Sequence, residues 1–155
     1  MKILVISDSH GNKSSILKAV EQESPGLVLH LGDHDRDCET IGLEHPDIPV
    51  RTVRGNCDRS STGPDTDEFT LSGKRFFMAH GHLYRVKLGL TYILNAAACR
   101  GADLLVFGHT HNPYYSVADN LIAVNPGSVG MGEKTYAVLE IKNGAVSCVV
   151  KTVKS

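Results

Sequence analysis

Apolar residues recur along this chain in two rhythms. Short β-branched runs read as buried strands, and longer stretches with an apolar stripe every three to four residues read as helices. Lys2–Ser7 is the first predicted strand. Asn12 stands ready to cap a helix over Lys13–Glu23, whose apolar face is Ile16, Leu17 and Val20. Pro25-Gly26 ends that helix, Leu27–Leu31 is the next strand, and a polar segment with room for a short helix leads to the strand Val50–Arg54. Arg59–Asp67, rich in Ser, Thr, Gly, Pro and Asp, predicts a mobile loop. Phe69–Leu71 and Arg75–Ala79 are strands that turn at Ser72-Gly73. A second helix is expected over Val86–Arg100, with Val86, Leu90, Ile93, Leu94 and Ala97 on one face and Gly101 as its C-cap. Leu104–Phe107 and Leu121–Val124 are two more strands, and Thr135–Ile141 with Ala145–Val153 forms a hairpin around Lys142-Asn143-Gly144. This alternation predicts one α/β domain over residues 1–155 with an antiparallel tail. In such sheets, ligands collect beyond the carboxyl ends of the strands.

The residues just past each strand therefore carry information. The chain delivers Asp8-Ser9-His10, Gly32-Asp33, Gly55-Asn56, His80-Gly81-His82, Gly108-His109-Thr110-His111 and Asn125-Pro126-Gly127-Ser128 at successive strand ends. Carboxylate, imidazole and amide oxygen suit a borderline-hard divalent metal, and glycine lets the backbone bend close to a shared centre. A lone D-x-H or H-x-H says little, and His30, His34 and His45 read as surface or hydrogen-bonded residues. The set Asp8, His10, Asp33, Asn56, His80, His109 and His111 is a different matter. Seven donors are too many for one open catalytic ion and enough for two that share a bridge, which must be a carboxylate, Asp33 or Asp8. Two metals about 3.5–4 Å apart clamp an in-line displacement at phosphorus. Two divalent ions with two carboxylates, neutral His and Asn donors and one hydroxide leave a net positive centre. Such a centre attracts a phosphate and makes hydroxide available at neutral pH.

Composition narrows the partners. A formal net charge of −1, with no block of Lys or Arg, gives no footprint for general nucleic-acid binding. Ile3–Ile6 is too short for a signal peptide's apolar region or a membrane span. Cys38, Cys57, Cys99 and Cys148 form no C-x-x-C pair, which fits a reducing, cytoplasmic setting. Cys99 and Cys148 are expected to be buried.

These ordered motifs, with Gly55-Asn56-Cys57-Asp58 among them, closely resemble those of the calcineurin-like metallophosphoesterases, and the short chain resembles the small YfcE-type phosphodiesterases. The resemblance implies a four-layer α/β/β/α sandwich of two packed mixed sheets. It assigns Asp8, His10 and His111 to one metal and Asn56, His80 and His109 to a second, with Asp33 bridging. Mn²⁺ is the first choice of ion, with Zn²⁺, Fe and Ni²⁺ compatible. Cys57 stands where larger relatives carry a histidine that assists the leaving group. A thiol is a poor acid, so Cys57 is read as a substrate-side residue rather than a ligand or nucleophile. His82 is a candidate for substrate contact or proton transfer, Asn125 for a place near the metal pocket on the substrate side unless Pro126-Gly127-Ser128 merely makes a turn, and Asp58 is read as closing a turn rather than orienting residue 57. The implied activity is a phosphodiesterase acting on small diesters by attack of a metal-bridging hydroxide. Set against it are a phosphomonoesterase, a retromer-subunit-like interaction scaffold on the same fold, and a DNA nuclease, which the short chain and near-neutral charge disfavour. A homodimer through edge strands is compatible with the pattern.

Overall fold

The computed structural model describes residues 1–155. The chain builds β1 (Lys2–Ile6), α1 (Lys13–Glu23), β2 (Leu27–His30), α2 (Glu39–Glu44), β3 (Val50–Thr52), β4 (Thr66–Leu71), β5 (Lys74–Ala79), α3 (Thr91–Cys99), β6 (Leu104–Phe107), β7 (Pro113–Ala118), β8 (Leu121–Pro126), β9 (Thr135–Lys142) and β10 (Ala145–Thr152). Single 3-10 turns at Asp35–Cys38 and His82–Tyr84 complete it.

Two five-stranded mixed sheets result, ordered β10-β9-β1-β2-β3 and β4-β5-β6-β8-β7. β1, β2 and β3 run parallel in the first, as do β5, β6 and β8 in the second. Strand side chains alternate between faces, and this builds three apolar layers. Ile3, Val5, Leu29 and Leu31 meet Phe76, Met78, Leu104 and Val106 between the sheets. Leu4, Ile6 and Val28 turn outward onto Ile16, Ala19 and Val20 of α1. Phe77, Leu105 and Phe107 turn outward onto Ile93 and Ala97 of α3. The outcome is the expected four-layer α/β/β/α sandwich. Trimming one of these fully buried side chains to alanine costs roughly 2–5 kcal/mol.

Local signals worked where they were chemical. Asn12 accepts from the Ser15 amide at 3.2 Å and caps α1, which stops at Ser24 in a left-handed conformation just before Pro25. Asn143 and Gly144 take φ of 51° and 77°, the primed turn that matches the twist of β9 and β10.

Four expectations need correction. The second helix begins at Thr91, not Val86, because Arg85 (φ 53°) and Gly89 (φ 148°) break the winding. Val86 still reaches the core, but from a turn packed on Gly81. β7 escaped notice because it is an exposed edge strand beginning at Pro113, with no apolar run. Strand β4 starts at Thr66, within the segment expected as loop; Arg54 holds Asp65 at 2.6 Å just before it, and Arg51 holds Asp67 of β4 at 2.7 Å. Finally, Cys99 is exposed and Cys148 only half-buried.

Candidate metal centre

The carboxyl ends of β1, β2 and β3 meet those of β5 and β6 along one edge of the sandwich. All seven expected donors arrive there. Asp8, His10 and His111 present one donor atom each within 4.8 Å of one another, and Asp33, His80 and His109 do the same. Asn56 joins the second group through Oδ1, 3.2 Å from His80 Nε2. Asp33 lies between the groups, with Oδ1 3.5 Å from His80 Nε2 and Oδ2 3.9 Å from His10 Nε2. Nitrogens crowd inward: His10 and His111 Nε2 are 3.3 Å apart, and His80 Nε2 is 3.1 Å from His109 Nδ1.

The backbone is bent to achieve this. Asp8, His10, Asp33, His109 and His111 all take positive φ, between 45° and 70°. Left-handed non-glycine residues cost free energy and cluster where function over-determines geometry. Gly55 and Gly108 permit the closest approaches. A Cβ on Gly55 would strike the Asp33 carboxylate, and one on Gly108 would strike Ser7 Oγ and the Asp8 carboxylate.

Surrounding groups fix which atoms face the centre. The Ser7 hydroxyl and the His109 amide both donate to Asp8 Oδ2, the latter at 3.1 Å. That leaves Asp8 Oδ1 fully buried with no hydrogen bond. His80 donates from Nδ1 to Leu31 O at 2.7 Å, which leaves the Nε2 lone pair pointing inward. Asp37 accepts from Ser9 Oγ at 2.7 Å and from the Gly11 amide at 2.8 Å, bracing the Asp8–His10 loop.

The electrostatics of the metal-free site favour a neutral His109 and an ionised Asp33. Burial, then the neighbouring His80 and Lys87, push His109 down to about 4. Burial opposes the charge on Asp33, but the Cys57 amide and His80 outweigh it and hold its carboxyl below the ordinary range. Burial, then Asp33, push the Cys57 thiol up.

The remaining candidates separate. Cys57 is exposed at the rim, and its Sγ stands within 4.8 Å of donor atoms on His10 and Asp33. His82 lies beside the second group, its ring 5.3 Å from that of His80, with Nδ1 buried and unpaired. Asn125, expected near the substrate, is fully buried and committed: Nδ2 donates to Gly108 O and Thr110 Oγ1 (2.9 and 3.1 Å), and Oδ1 accepts from Gly127 N (2.9 Å). It holds the His109–His111 loop instead. His30 is a buried, hydrogen-bonded residue, and His34 is exposed. Asp58 is more than a turn-closing residue, since its carboxylate accepts from four backbone amides on two loops. Its sequence signal is its place at the end of Gly55-Asn56-Cys57-Asp58, which does not reveal these partners.

The calcineurin-like phosphoesterase superfamily domain matches residues 1–144. The chain belongs to this superfamily. Similar relatives include the probable metallophosphoesterase YsnB of Bacillus subtilis, 32% identical over 95% of this chain and 88% of that protein. Phosphodiesterase YfcE of Escherichia coli is 28% identical, over 90% of this chain and 88% of that one. Among solved structures, Vps29 of Entamoeba histolytica in complex with Zn²⁺ superposes with a TM-score of 0.77 at 19% identity, covering 99% of this chain and 100% of its own. That last likeness shows the fold alone.

Members of this superfamily use divalent metals, and the residues present fit them. A buried carboxylate oxygen without a hydrogen bond is costly. Asp8 Oδ1 is such an atom, and imidazole nitrogens of His10, His80 and His111 surround it within 4.0 Å. A cation bound among them would satisfy it.

Proposed function

We propose that this chain is a binuclear metal-dependent phosphodiesterase acting on small phosphodiesters. The observation that carries the reading is the placement of Asp33 between two donor groups, with one carboxylate oxygen directed toward each. Asp8, His10 and His111 with Asp33 would hold one divalent cation, and Asn56, His80 and His109 with Asp33 a second. Mn²⁺ suits this O/N mixture first, with Zn²⁺, Fe and Ni²⁺ compatible. The pair, when bound, supplies charge withdrawal from phosphorus and a hydroxide nucleophile at neutral pH.

The chain's own residues do the rest. Histidine and asparagine ligands add no negative charge, so the loaded centre would stay positive enough to hold a phosphate anion. His82, half-buried with its ring 5.3 Å from that of His80, would contact a phosphoryl oxygen or the departing group. Cys57 occupies the rim as a protonated thiol and offers little help to a poor leaving group, which favours diesters whose leaving group departs readily. The four unpaired thiols are consistent with a reducing, cytoplasmic setting. No helix is long and apolar enough to cross a membrane.

A non-catalytic interaction scaffold on the same fold is the second reading. Exposed Leu83 and Tyr92, which line one surface hollow, and exposed Leu88 favour it, since such apolar exposure suits a partner. One experiment separates the two. Metal-loaded and chelator-stripped protein are assayed on a chromogenic diester and on the matching monoester. The enzyme reading requires metal-dependent turnover, greater on the diester and lost in Asp33→Asn. Absence of turnover at full metal occupancy would favour the scaffold.

A further inference from the structure

We infer that Asp58 is a positioning residue that sets the geometry of the second cation site by clamping the Asp33 and Asn56 loops together. The inference rests on the two-cation reading above. Asp58 is 8% exposed, and its carboxylate belongs to neither donor group. It accepts from Asp33 N (2.8 Å) and Gly55 N (2.7 Å) at Oδ2, and from His34 N (2.7 Å) and Asp35 N (3.1 Å) at Oδ1. Gly32, Asp33 and His34 are consecutive left-handed residues, with φ of 96°, 59° and 66°. The successive amides of Asp33, His34 and Asp35 all point at the Asp58 carboxylate. An unfavourable backbone run persists only where its surroundings enforce it; here the enforcing group is a carboxylate carried by the neighbouring loop.

The clamp is reciprocal. The Cys57 amide donates to Asp33 Oδ1 at 2.9 Å, so the Asn56–Asp58 loop grips Asp33 at both its backbone and its side chain. The other donor loops are braced elsewhere, by Ser7, Asp37, Ser128 and Asn125. Asp58 therefore controls two of the four donors of the second site, Asp33 and Asn56, but only one of the four at the first. Loss of its charge should weaken the second site selectively.

The test is Mn²⁺ binding to metal-free Asp58→Asn, measured by equilibrium dialysis with metal analysis, beside the native chain. The native protein is expected to bind two equivalents. The variant should keep the first and lose affinity for the second by about 10- to 100-fold, the usual effect of removing a group that orients metal ligands. Two equivalents with native affinities in a folded variant would overturn the inference, as would equal weakening of both sites. If the native chain binds only one equivalent, the two-cation reading fails on its own, and the positioning role then stands or falls on whether Asp58→Asn weakens that ion. Should the variant not fold, amide exchange in the native metal-free chain decides the matter. The inference requires slow exchange at Asp33, His34 and Gly55 before any metal is added, and fast exchange there would refute it.

Discussion

Asp8 Oδ1 and His111 Nε2 stand 2.9 Å apart, yet Oδ1 makes no hydrogen bond. Two donor atoms held this close without the geometry to satisfy each other are arranged for a third party. In the metal-free chain, that arrangement is a standing cost of function. Asp8→Asn should reduce it, since a neutral amide costs less to bury than a charged carboxylate. We expect the metal-free variant to gain about 1–3 kcal/mol in denaturant unfolding while losing metal binding. A less stable metal-free variant would contradict this account of Oδ1.

His111→Ala removes a donor from the first group without touching the core. Turnover should fall by about three orders of magnitude or more, the equivalent of several kcal/mol of lost charge stabilisation. Metal-free thermal unfolding should change little. Residual activity above about a tenth of native, at saturating metal, would count against the ligand assignment.

Cys57→His places an imidazole where the thiol now sits at the rim. Positioned general acids contribute about 10²–10⁴-fold, so even an imperfectly placed ring should raise hydrolysis of esters with poor leaving groups at least about tenfold. Esters with good leaving groups should gain little. A uniform change across leaving groups, read from a series of substituted phenyl esters, would argue that position 57 does not assist departure.

His30 gives the pH prediction. It is fully buried, and burial pushes it down to about 4. Its hydrogen bonds explain the preference: Nδ1 accepts from the Gly32 amide and Nε2 faces Ser9 Oγ, so a second ring proton would oppose Gly32 N–H. The unfolded chain, with an ordinary histidine near 6.5, binds the proton more readily than the folded one does. Its contribution to stability is therefore full above about pH 6.5 and is lost as pH falls toward 4, a change of up to about 3 kcal/mol. Urea unfolding of metal-free protein across that window should show the loss, and His30→Gln should flatten the slope by about one proton. An unchanged slope would place the effect elsewhere.

Much of this was legible in the chain because the signals were local. Asn12 capping α1, the Asn143-Gly144 turn and the apolar runs of β1 and β6 each state their structure within a few residues. All seven candidate donors were visible for a related reason: polar ligand types at strand ends have few other purposes when they recur in order. What stayed hidden depends on backbone groups far away in sequence. Asp58 works through the amides of Asp33 to Asp35, more than twenty residues earlier, and backbone amides leave no residue-type signature. Asn125 looked like a substrate contact because its residue type suits one, while its actual partners are the Gly108 carbonyl, the Thr110 hydroxyl and the Gly127 amide. The start of α3 was misplaced because Arg85 takes a left-handed conformation that nothing in its side chain demands.

Crystals of Mn²⁺-loaded protein, measured for anomalous scattering, test the central claim most directly. The account predicts two peaks per chain on either side of the Asp33 carboxylate, one bounded by Asp8, His10 and His111 and the other by Asn56, His80 and His109. A single peak at full Mn²⁺ saturation, or a pair that does not share Asp33, would contradict it.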